Sequence, residues 1–264
     1  MRTRKTTLIS ASALLLAVLL ALSLSGCGSS SVSASALLSK SSQNISNVSS
    51  AKMRMEMSGT AAAQATMGTF EIEQAKSVDG FQMKMTGEVA GQPVVMYMVS
   101  GTMYMNMMGM WVKASVPVVS NPTSQIGMGS LDDIQKMMAD AEDPKVISEE
   151  ASSTTIGFKL GPDFMKKQLA EAKAKMGNLG STVDPAMLGD TSLDITVKIN
   201  KSDNLVSAMT EKIKMSGGSL GNMDTTVKMT LVGYNVPVNT QPPPEAMRAS
   251  EMKLPSLNSL TPGL

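Results

Sequence analysis

The 264-residue chain reads as an α+β protein in which antiparallel sheet dominates. Three observations predict this. Runs of six or so residues alternate strictly between apolar and polar, the period of a half-buried strand. Gly, Asn and Asp punctuate those runs at hairpin spacing. Three longer segments carry helical spacing instead, the second and third with a start or stop signal.

The chain opens with Arg2, Arg4 and Lys5, followed by an uncharged run from Leu8 to Leu24 and a lone cysteine, Cys27. A basic n-region before an apolar core is the layout of a secretory signal. Leu24-Ser25-Gly26-Cys27 resembles the lipobox of bacterial lipoproteins. That resemblance implies cleavage before Cys27, a diacylglyceryl group on its thiol, and residence at the extracytoplasmic face of a bacterial membrane. Residues 1–26 are then leader and 27–35 a Ser-rich tether.

The elements follow in order. Leu37, Leu38, Ile45 and Val48 mark a helix over Ala36–Val48. Lys52 to Glu56 alternates charge against Met53, Met55 and Met57, the first strand. Thr69–Glu73 and Phe81–Thr86 are the next two strands, joined through Asp79-Gly80. Val94–Val99 and Thr102–Met107 form a hairpin about Ser100-Gly101, and Met110–Lys113 is a short strand after Gly109. A Gly/Pro/Ser/Asn-rich stretch over 114–130 ends this meander. Ser130 then N-caps a helix whose first turn holds Asp132 and Asp133, where the helix dipole favours acids. Strands near 145–150 and 154–160 precede a helix over Asp163–Met176 that Gly177 stops. After a loop over 177–190 come the strands Leu193–Ile199, Leu205–Met215 and Thr225–Val232. The domain is expected over 36–240, and the Pro-containing tail 241–264 is expected to be disordered.

Composition narrows the chemistry. Histidine is absent, which removes Ser-His-Asp catalysis, imidazole metal sites and the usual switch near neutral pH. With Cys27 committed to lipid, no thiol is left for a disulfide or redox centre. Asp132-Asp133 read as dipole complements, and adjacent Glu149-Glu150 on a strand point to opposite faces. No enzyme, cofactor or assigned metal site follows from these residues. Removing the three basic leader residues from 23 Lys and Arg, against 22 Asp and Glu, leaves the mature chain at −2, so nucleic acid is not an expected partner.

The 26 methionines are the compositional extreme. Unbranched, polarizable thioethers can line an irregular cavity, fill a dry core, or bind Cu(I), and all three readings stay open at this point. The copper reading rests on Met103, Met105, Met107, Met108 and Met110 beside Trp111, with neither Cys nor His to strengthen it.

The order of elements resembles the LolA/LolB-like lipoprotein-carrier superfamily, including LppX/LprG-like bacterial lipoproteins. The carrying residues are the strand Met53-Arg54-Met55-Glu56-Met57, the hairpin that puts Tyr104 shortly before Trp111-Val112-Lys113, and Pro243-Pro244-Glu245, over about residues 34–247. The resemblance implies a curved half-barrel sheet wrapped around helices, with a hydrophobic cavity for an acyl chain, glycolipid or lipoprotein. The expected lining is Met53, Met55 and Met57, then Phe81, Met83 and Met85, then Met96 and Met98, then Met103, Met105 and Met107, with Trp111 at an edge. A structural or partner-binding lipoprotein with a filled core is the alternative.

Overall fold

In the computed structural model, the described residues are 33–61, 64–77, 80–89, 91–107, 109–115, 130–161, 190–216 and 222–251, with 164, 166, 167 and 170. Cys27 and the leader expected before it lie outside them, as do the segment 116–129 and most of the helix expected over Asp163–Met176.

Helix α1 (Ala34–Ser46) comes first. Six strands follow: β1 (Ser50–Ala61), β2 (Gln64–Ser77), β3 (Gly80–Val89), β4 (Gln92–Val99), β5 (Thr102–Met107) and β6 (Met110–Ser115). Helix α2 (Leu131–Ala139) leads to β7 (Glu142–Glu149) and β8 (Ser153–Leu160). Strands β9 (Asp190–Asn200), β10 (Val206–Ser216) and β11 (Met223–Tyr234) precede a short helix α3 (Pro244–Met247) and β12 (Ser250–Glu251). All eleven strands expected from alternation are present. The additions, α3 and β12, lie in the segment expected to be disordered.

Among the described residues the strands form one sheet in the order β12-β6-β5-β4-β3-β2-β1-β11-β10-β9-β8-β7. Two antiparallel meanders meet where β1 pairs with β11, and β12 alone runs parallel to its neighbour β6. Twelve strands at ~4.8 Å would make a flat sheet roughly 50 Å wide. Yet inner residues of β1–β4 and of β8–β11 belong to the same core, closed by Leu38 and Ile45 of α1 and by Leu131, Ile134, Met137 and Met138 of α2. Helices α1 and α2 together cover only about 20 Å. The sheet therefore curves so that both halves face one helix layer: an open, LolA-like half-barrel.

Helix α2 is fixed at its start by a capping box. Asp133 N–H donates to Ser130 Oγ at 3.1 Å, and Ser130 N–H donates to Asp133 Oδ2 at 3.1 Å. Fully buried Gln74 on β2 accepts from Leu131 N–H at 3.4 Å, tying the helix N-terminus to the sheet. Residues 241–251, by contrast with the expectation, are packed: Ala246 is completely buried, and Ser250 and Glu251 pair with Val112 and Lys113.

Candidate functional site

The inner sheet face follows from the register. Met53 stands opposite Ile72, Ile72 opposite Met85, Met85 opposite Met96, and Met96 opposite Met105, so these residues make one continuous row. A parallel row runs through Gln74, Met83, Met98 and Met103 to Ala114. Met55 sits in a third row between Phe70 and Met229. Met53, Met55, Met83, Met85, Met96 and Met98 are buried; Met57, Met103 and Met105 are partly buried. The expected lining residues on β1, β3, β4 and β5 therefore share one face. Phe81 pairs with Lys76, and Met107 with Val94, at register positions of the same parity.

Trp111 does not join them. Its neighbours Met110 and Val112 pair with Met107 and Met105 on the inner side, so Trp111 occupies the outer face, 6.0 Å from the Tyr97 ring centroid. Tyr104 stands opposite Tyr97 on that same outer face. Both faces of β6 are partly apolar, so its alternation alone did not reveal which side turned inward.

The outer aromatics are covered by the C-terminal segment. Asn239 N–H donates to Glu73 at 2.8 Å, Thr240 Oγ1 donates to Gln82 at 2.9 Å, and Lys113 Nζ donates to the Met247 carbonyl at 3.3 Å. These contacts carry the segment across β2, β3 and β6. Burial, with the Glu73 and Glu245 carboxylates nearby, pushes the Tyr97 phenol above its ordinary range.

Two polar inner-face residues escape a reading based on apolar periodicity. Gln74 donates to Met53 Sδ at 3.6 Å while accepting from α2. Glu211 stands between Val227 of β11 and Ile195 of β9, facing α2 and its Asp133. Burial first, then the Asp133 charge, push its carboxyl up to about 7. Its parity with Met209, Ile213 and Met215 was the available signal. The other paired carboxylates are ion-paired at the surface, Glu149 with Lys201 at 2.8 Å and Glu150 with Lys198 at 2.9 Å.

A pocket of about 370 Å³ opens between α1, the end of α2 and the start of β7, floored by Leu38 and Met138 and rimmed by Ser35, Ser39 and Ser42. It is separate from the methionine rows.

The family model for DUF6612, a family of unknown function, matches residues 33–250. The chain belongs to that family. The match runs through α3, consistent with a domain that includes the outer-face segment. No curated protein matches the DUF6612 chain. Among solved structures it is similar to LprF from Mycobacterium bovis, at 14% identity and a TM-score of 0.50, over 80% of this chain and 96% of that one. It is also similar to lipoprotein LppX from Mycobacterium tuberculosis, at 10% identity and 0.49, over 79% and 98%. A LolA superfamily protein from Nitrosomonas europaea matches at 10% and 0.27, over 79% and 96%. The likeness to LprF concerns the fold alone. No described helix is long and apolar enough to cross a membrane.

Proposed function

We propose that this protein is a lipid-anchored lipoprotein of a bacterial envelope that binds an amphiphile, its acyl chain held between the inner sheet face and the helix layer. One observation carries the reading. The inner face of β3, β4 and β5 is built of unbranched thioethers, whereas β8 and β9 close the same face with Ile156, Phe158, Leu160, Leu193, Ile195, Val197 and Ile199. Branched side chains make a stiff wall. Methionine, with three free torsions, can repack around chains of different length. The partly exposed Met103 and Met105 mark the side from which a chain would enter.

Native mass spectrometry of the purified protein tests the ligand. Co-purified species of lipid mass, removed by organic extraction and replaced on adding a fluorescent fatty acid, are expected. A folded protein that carries no such species and binds no probe would refute the reading. The anchor is tested separately: an alkyne fatty acid fed to cells is expected to label the wild type and not Cys27→Ala.

A further inference from the structure

The register brings six thioethers together in a way the linear sequence does not display. Met85, Met96 and Met105 are directly opposite one another on three successive strands, and Met83, Met98 and Met103 repeat the arrangement one pleat away. No aliphatic or aromatic residue interrupts either triad. Burial alone does not require sulfur here, because β9 closes the same face with Leu, Ile and Val, and β-branched residues suit strands better than Met does.

We propose that Met85, Met96 and Met105 form a thioether-only binding site for Cu(I). Opposite side chains on neighbouring strands stand ~4.5–5.5 Å apart at Cβ. The flexible outer pair, Met85 and Met105, can therefore lean over Met96 and converge on one ion. Soft thioethers select Cu(I). The donors are neutral, so a monovalent ion carries less uncompensated charge into an apolar interior than a divalent one. No group of three His, Cys, Asp or Glu among the described residues offers a competing site for a harder ion. Met85 and Met96 are buried while Met105 is partly exposed, which gives the ion an entrance at β5. The site shares its residues with the proposed amphiphile lining, and the two readings are told apart by separate probes; Leu in place of Met keeps apolar volume and removes the sulfur donor.

The test uses the full chain carrying Cys27→Ala, so that no thiol competes, titrated anaerobically with Cu(I) against a chromogenic Cu(I) chelator. The parent chain is expected to withdraw one equivalent of Cu(I), with a sulfur-only first shell by X-ray absorption. Met85→Leu, Met96→Leu and Met105→Leu together are expected to abolish withdrawal with an unchanged far-UV circular dichroism spectrum. Leu at Met83, Met98 and Met103 is expected to leave it intact. If the first triple variant does not fold, Met96→Leu alone is expected to weaken retention. No withdrawal by the parent, a nitrogen or oxygen first shell, undiminished withdrawal by the folded triple variant or by Met96→Leu, or loss only in the Met83/Met98/Met103 variant would each overturn the assignment. Fluorescent fatty-acid binding by the parent chain without copper reports on the amphiphile reading separately.

Discussion

Phe70 lies close against the inner face because two glycines leave room for its ring. A Cβ on Gly87 would come within 2.5 Å of Phe70 Cδ1, and one on Gly68 within 2.8 Å of Cε2. Glu211 is the opposite case, a side chain that the face accommodates at an energetic cost. Its folded-state carboxyl titrates near 7 against an ordinary value of 4.5, so between these values the unfolded chain has ionised while the folded chain still holds the proton. The folded state binds more protons, and stability therefore falls as pH rises from about 4.5 through 7. The shift corresponds to about 3 kcal/mol lost by pH 8. Asp133, also held up chiefly by burial, adds a slope of the same sign, moderated by its hydrogen bonds from Ser130 and then by Lys136. Glu211→Gln is expected to raise the thermal midpoint at pH 8 and to flatten its dependence between pH 5 and 8. An unchanged profile would show that Glu211 is not desolvated as described.

At the scale of elements, α2 shows how local and distant residues divide one task. Ser130 and Asp133 satisfy each other's backbone N–H groups. Gln74, from β2, satisfies that of Leu131 and so fixes where the helix starts on the sheet. Ile134 and Met138 then face the core one turn apart. Ser130→Ala is expected to destabilise the protein by about 1 kcal/mol, measured as a lower urea midpoint with unchanged slope. No change would mean that Gln74 and the packing of α2 suffice without the cap.

The whole molecule joins two meanders through β1 and β11, and it manages the edges that an open sheet leaves. At one end β7 carries Pro144, the left-handed Asp143 and charges at Glu142, Lys145 and Glu149. At the other end β12 pairs with β6 after the C-terminal segment has crossed the outer face. That segment hides Tyr97 and leaves Met247 and Met110 exposed. Deleting residues 237–264 is expected to lower the thermal midpoint and to raise the tendency to associate in size-exclusion chromatography, because β6 and the Tyr97–Tyr104 surface lose their cover. A monomer of unchanged midpoint would show that this cover is dispensable.

Alternation in Met53–Met57, Met83–Met85 and Leu193–Ile199, and the cap at Ser130, made the strands and α2 legible from sequence, because pleat and cap are local geometry repeated within a few residues. The expected leader and Cys27 lie outside the described residues and rest on the sequence alone. What needed the tertiary structure was every pairing between distant residues: β1 with β11, Gln74 with Leu131, Glu211 with the α2 face, and the C-terminal segment with Glu73, Gln82 and Lys113. Alternation states that two faces differ. Which face turns inward is decided by the helix layer that covers it, and this is why Trp111 lies opposite the methionines it adjoins in sequence.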